Sequence, residues 1–188
     1  SVGVGGGSTY LALLLIWGIP YQIFPIIALC CNIIVVSGNC FNYARSGNIN
    51  IKLLIPYLIS SIPLAFIGGS LQLDKNFFEI LLFIVLSLAG LSLLLKFKSF
   101  DDTSDINRNI PKVVAIMIGG SIGFISGVVG IGGGIFLSPI LLLMKAGRAK
   151  DIATTASIFI LINSVAGLFG QSTKGFIFNE IYNYWPLF

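Results

Sequence analysis

Histidine is absent from the 188 residues, and Asp, Glu, Lys and Arg together make up only 10% of them. The chain therefore lacks the commonest general acid–base and the commonest metal ligand, and no Ser/His/Asp set can form. The three cysteines, Cys30, Cys31 and Cys40, lie inside one apolar run. There they read as small hydrophobes with reduced thiols, not as a disulfide framework. Glycine strings are present, but none carries the Gly-Lys-Ser/Thr ending of a phosphate-binding loop, and Ser8 and Ile135 stand where a dinucleotide fingerprint needs its third glycine. With no metal cluster and no paired intramembrane carboxylate, an enzyme would have to work without an obvious acid, base or metal. No catalytic residue, metal or cofactor is expected.

What the sequence has is apolar length. It is 56% hydrophobic with a mean hydropathy of +0.98, more apolar surface than a soluble domain can hide. Four runs, 24–43, 51–69, 77–97 and 152–169, reach the length of about 20 residues that crosses a hydrocarbon core about 30 Å thick. The expected fold is all-α and polytopic in a membrane. The net charge of +4 forms no stripe, because the basic residues sit in the breaks between apolar runs. Such placement sets topology and does not suggest nucleic acid. The chain opens on a glycine motif without an initiator Met and ends in an aromatic-rich run with Phe176, Tyr182, Tyr184 and Trp185. A fragment is expected, lacking the helix that leads into Gly3 and most of the segment beyond the second unit.

The string Gly3-Val-Gly-Gly-Gly7 returns as Gly130-Ile-Gly-Gly-Gly134. Each is followed by a short, mostly apolar stretch, 8–17 and 135–144, then a break, then a full-length apolar run. Duplicated broken helices point to a transporter's binding site. The organisation expected is a first repeat unit over 1–97, a cytoplasmic linker over 98–112 and a second unit over 113–188. A ten-residue helix rises only about 15 Å, half the hydrocarbon thickness. The stretch 135–144 therefore starts near the midplane if it ends at Lys145, Arg148 and Lys150 in water, and 113–129 enters from that same side. The pair is expected to form a re-entrant hairpin with glycine at its tip, tolerated at that depth only where it is buried in protein or lines a cavity. Gly119, Gly123 and Gly127, at small-xxx-small spacing, are read as helix packing.

Counting crossings places Arg45, Lys52, Lys96, Lys98, Arg108, Lys112, Lys145, Arg148 and Lys150 on one face, and Lys75 and Lys174 on the other. The positive-inside rule makes the first face cytoplasmic. Three crossings separate the two glycine units, so the second is inverted relative to the first. That is a common architecture for alternating access.

Each glycine string begins a half-helix, whose first N–H groups lack intrahelical partners and whose dipole is positive there. Two such ends facing one cavity would make an anion site from Gly5, Gly6, Gly7 and Ser8 with Gly132, Gly133 and Gly134. The dipoles alone contribute roughly 0.3 to 2 kcal/mol each, too little to desolvate an ion. Further donors are expected from the next long helix of each unit: Asn32 and Asn39 in the first, Ser157 and Ser164 in the second. Aligning Ala28 with Ala153 superposes Asn32 on Ser157 and Asn39 on Ser164. Thr154, Thr155, Asn163 and Gln171 are weaker candidates, since Ser and Thr in membrane helices often bond their own i−4 carbonyls. Replacing Gly133 by Ala or Asp is expected to impair transport with little effect on insertion.

The run Gly127-Val-Val-Gly-Ile-Gly-Gly-Gly-Ile-Phe-Leu-Ser-Pro139, with Ala153-Thr-Thr-Ala-Ser157 after it, resembles the sulfite exporter TauE/SafE family of membrane permeases. The resemblance is strongest over 121–165. It implies two inverted helical halves in a bacterial inner membrane, moving sulfite, sulfonates or related organic anions. The expected partners are a small anion and the lipid bilayer, with a homo-oligomer left open. The rival readings are a passive anion channel and a non-transporting scaffold subunit of a membrane complex.

Overall fold

The computed structural model describes residues 22–45, 51–95 and 110–174. Among these residues there are six α-helices and no strand: α1 (Phe24–Arg45), α2 (Ile51–Ser70), α3 (Lys75–Leu95), α4 (Lys112–Val129), α5 (Gly134–Leu143) and α6 (Ala149–Ser172). Segments within α1, α2, α4 and α6 are long and apolar enough to cross a membrane. The short α5, at ten residues, is also apolar.

Small residues bring α2 and α4 into backbone contact. A Cβ added at Gly119, Gly123 or Gly127 would lie 2.7, 2.6 or 2.9 Å from the Cα atoms of Tyr57, Ser61 and Ala65. Both series climb by four, so the two helices run in the same direction. At its far end α2 meets α6 equally closely, with Gly69 against Gly167 and Gly170 against Phe66. Near the opposite end, Leu54 and Ala115 share an apolar cluster with Leu141, Ala146 and Ile152. Three helices thus lie parallel, and Leu141 and Ala146, at and just beyond the end of α5, belong to the same cluster as Leu54, Ala115 and Ile152 near the starts of these helices.

The remaining two run the other way. Leu29 of α1 packs beside Gly167 of α6, and a stripe on α3, Phe78, Leu82, Val85 and Ala89, joins Phe24, Ile27 and Ala28 of α1 in a second cluster that includes Ile135 of α5. Phe24 and Phe78 meet edge to face at 6.4 Å between ring centres. The opposite face of α3 exposes Phe77, Ile80, Phe83, Leu88 and Leu91. A helix apolar on both faces suits lipid on one side and protein on the other.

Local signals fix the break between α4 and α6. Gly130, Gly132 and Gly133 have φ of 86°, 78° and 75°, a left-handed conformation that glycine enters without the Cβ clash of other residues. They break the helical run between α4 and α5. At the end of α5, Ala146 N–H donates to Leu141 O and Lys145 N–H to Leu142 O, both at 3.0 Å. This is a Schellman motif with Lys145, at φ 51°, where glycine is usual. The chain then enters α6 with Arg148 Nε 3.1 Å from Asp151 in the first turn, where an acidic side chain complements the helix dipole.

Candidate functional site

The first turn of α5 is buried, and its N-cap, Gly133, receives no side-chain capping bond. Gly134 packs on Ile160, half-way along α6, so the N-terminus of α5 sits midway along the longest of the described helices. A Cβ at Gly132 would lie 2.7 Å from Ile160 Cγ2, 3.0 Å from Ser164 Oγ and 3.1 Å from Asn32 Nδ2. The glycine string therefore brings α1 and α6 together through two polar side chains. Asn32 Nδ2 also donates to Gly130 O at 3.4 Å.

What sets this point apart is unmet hydrogen-bonding capacity. Asn32 Oδ1, Ser126 Oγ, Ser138 Oγ and Ser164 Oγ are buried without a hydrogen-bond partner. Ser126 flanks Gly133, with its Cβ 3.3 Å from the Cβ position there. Ser138 follows Gly134 by one helical turn on the same face. An unsatisfied buried polar group costs about 1 to 3 kcal/mol, and several in one place call for an explanation such as a ligand. The other hydroxyls of α6 are spent locally: Thr154 on Lys150 O, Thr155 on Asp151 O, Ser157 on Ala153 O and Ser172 on Phe169 O, at 2.9, 2.7, 2.9 and 2.7 Å.

The residues singled out from sequence separate accordingly. Asn32 and Ser164 meet at Gly132. Ser157 is buried but bonded to its own helix. Asn39 is partly exposed and stands two turns, about 10 Å, beyond Asn32 on α1. Asn163 Nδ2 donates to Phe159 O at 2.9 Å, while its Oδ1 is unpartnered. Gln171 Nε2 donates to Gly127 O at 3.3 Å. Gly5, Gly6, Gly7 and Ser8 lie outside the described residues.

Gly133 is closely packed. Its Cβ position points at Ile122 Cγ2 (2.7 Å), Phe159 Cε1 (3.1 Å) and Ser126. A substitution there strikes packed side chains before it reaches any ligand. Ser126 and Ser138 were missed from sequence. The available signal was their spacing, Ser126 one turn before Gly130 and Ser138 one turn after Gly134.

A multi-pass membrane protein with an internal polar site at a broken helix is the class these features define. The chain belongs to the sulfite exporter TauE/SafE family, whose family model matches residues 1–187. A probable membrane transporter protein of Sinorhizobium fredii is 30% identical over 99% of this chain and 74% of its own length. Probable membrane transporter proteins of Methanocaldococcus jannaschii and Bacillus subtilis are 28% and 24% identical, each over 94% of this chain and over 69% and 74% of their own lengths. No solved structure matches the chain.

Proposed function

We propose that the chain is a permease of the bacterial inner membrane that exports sulfite, a sulfonate or a related small organic anion, without chemical conversion, by alternating access around the start of α5. The observation that carries the reading is the convergence of Ser164 Oγ, Ser126 Oγ and the Asn32 carboxamide, none fully partnered, on an uncapped helix N-terminus. Hydroxyl and amide donors at a positive dipole end suit a small oxyanion, and the family is that of sulfite exporters. A re-entrant arrangement is supported by Ala115, at the start of α4, sharing a cluster with Leu141 and Ala146 at the end of α5. An inverted partner unit around Gly5–Gly7 completes the proposal. Lys112 at the start of α4, Lys145 after α5, and Arg148 and Lys150 at the start of α6 stand at the end of the bundle that this reading assigns to the cytoplasm, and Arg45, Lys98 and Arg108 are proposed to face the same side by the positive-inside rule.

The test is flux of radiolabelled sulfite in liposomes containing the purified protein. Accumulation against the sulfite gradient, driven by an imposed ion gradient, is the expected result. Flux that only dissipates the gradient would make the protein a passive channel, and no flux of sulfite or of simple sulfonates would sink the reading.

A further inference from the structure

Where α2 ends and α3 begins, beside the last turn of α6, a cavity of about 310 Å³ opens. Its polar lining is Gln22, Gln72, Asp74, Gln171 and Lys174, none of which the proposed site at α5 uses. The floor includes Pro25 and Val128. These two also roof the glycine turn: Pro25 Cα lies 2.5 Å from the Cβ position of Gly130, and Val128 is in the last turn of α4. Gln171 bridges both places by its bond to Gly127 O. Pro25 therefore lines the cavity and packs on Gly130 of the glycine turn.

Lys174 is the cation of this cavity. Among the described residues no carboxylate lies within 4.0 Å of its ammonium group, the two ion pairs formed being Lys75–Glu79 and Arg148–Asp151. Burial pushes its pKa down to about 8, the response of an ammonium partly withdrawn from water without a counter-charge. Asp74 is the other ionisable side chain lining the cavity. Its carbonyl accepts the Phe78 N–H at 2.9 Å, which puts it at the N-cap position of α3, where the helix dipole offsets a negative charge.

We infer that this cavity is an exit-side binding site for a small oxyanion, held by Lys174 and the carboxamides of Gln22 and Gln72 on the non-cytoplasmic side of the glycine turn. The inference rests on the anion-transport reading and adds a second binding point on the same path. An ammonium without a carboxylate partner, flanked by neutral amide donors, selects for negative charge, and the cavity has room for such an anion with several waters. A lipid phosphate would satisfy the same groups, so the experiment separates the two sources.

Sulfite is the probe, in two measurements on the full chain: concentration-dependent flux in liposomes, and calorimetric binding in detergent. Wild type is compared with Lys174→Met, Lys174→Arg and Gln72→Leu at matched folded yield. Loss of one charge-assisted hydrogen bond corresponds to roughly tenfold in affinity. Lys174→Met is therefore expected to raise KM for sulfite supplied at the non-cytoplasmic face and weaken binding about tenfold with kcat changed less than twofold, whereas Lys174→Arg stays near wild type and Gln72→Leu falls between. Equal KM and binding for wild type and Lys174→Met overturns the inference. So does a Lys174→Met effect that appears only in vesicles containing anionic lipid, which assigns the lysine to a lipid phosphate, or an equal loss in Lys174→Arg, which makes the position structural. Sulfite binding that depends on Lys174 without any wild-type flux removes the transport reading and leaves the site standing. Absence of both binding and flux removes both.

Discussion

Replacing Ser164 by alanine deletes a single oxygen from the centre of the molecule, and the structure gives that change two effects of opposite sign. Ser164 is fully buried, and its hydroxyl has no partner. An unsatisfied buried hydroxyl costs about 1 to 3 kcal/mol, so the ligand-free variant should be no less stable than wild type and more stable by up to about 2 kcal/mol. A hydrogen bond to a charged ligand contributes about 1.5 to 3 kcal/mol, so the same deletion should weaken sulfite binding roughly 10- to 100-fold. Thermal unfolding in detergent with and without sulfite reads both. Wild type should gain in Tm on adding sulfite, and Ser164→Ala should start as high or higher and gain less at the same concentration. Ser157→Ala is the internal comparison, because that hydroxyl is already bonded to Ala153 O, and its KM for sulfite should move less than twofold. A less stable Ser164→Ala protein with unchanged sulfite affinity would refute the reasoning, since the hydroxyl would then be part of the fold and not of a binding site.

Gly133→Ala should lose folded stability as well as transport. The left-handed conformation alone adds about 1 to 2 kcal/mol, and the new methyl meets Ile122 Cγ2 at 2.7 Å, an overpacking that typically costs about 1 to 3 kcal/mol. A normal melting temperature would contradict this. Lys145→Gly, at the left-handed position closing α5, should raise stability by up to about 1 kcal/mol, read as a higher midpoint of unfolding. Lys174, with its pKa at about 8, is charged below that pH and loses its charge as pH rises through it. KM for a sulfonate, whose own charge is constant in this range, should therefore rise between pH 7 and 9, and Lys174→Arg should flatten the profile. A profile identical in the two proteins would remove Lys174 from anion binding.

The helices were legible in the sequence because lipid-length apolar runs and glycine breaks are local facts. The run 113–129 became Lys112–Val129 and the short stretch 135–144 became Gly134–Leu143. Their spacing made a half-length helix that starts on glycine an arithmetic necessity, and the stripe Gly119, Gly123 and Gly127 already marked a backbone contact. The selection among polar side chains was not legible. Ser157 and Ser164 are both buried on one helix, yet one hydroxyl bonds its own i−4 carbonyl and the other bonds nothing, because rotamer and neighbour decide, not residue type. Aligning the two units makes Asn32 the repeat counterpart of Ser157 but says nothing of which side chains meet, and the structure brings Asn32 beside Ser164 at Gly132. The reason is direction: α1 and α6 run opposite ways, so an early position on one meets a late position on the other. Asn39 shares a helical spacing with Asn32 but is partly exposed, since periodicity gives the face of a helix and only the packed neighbours decide how far along it that face is covered. Lys174 in sequence was a topology marker. Its place in a cavity with three carboxamides comes from α2, α3 and α6 meeting at one end of the bundle, which only tertiary packing decides.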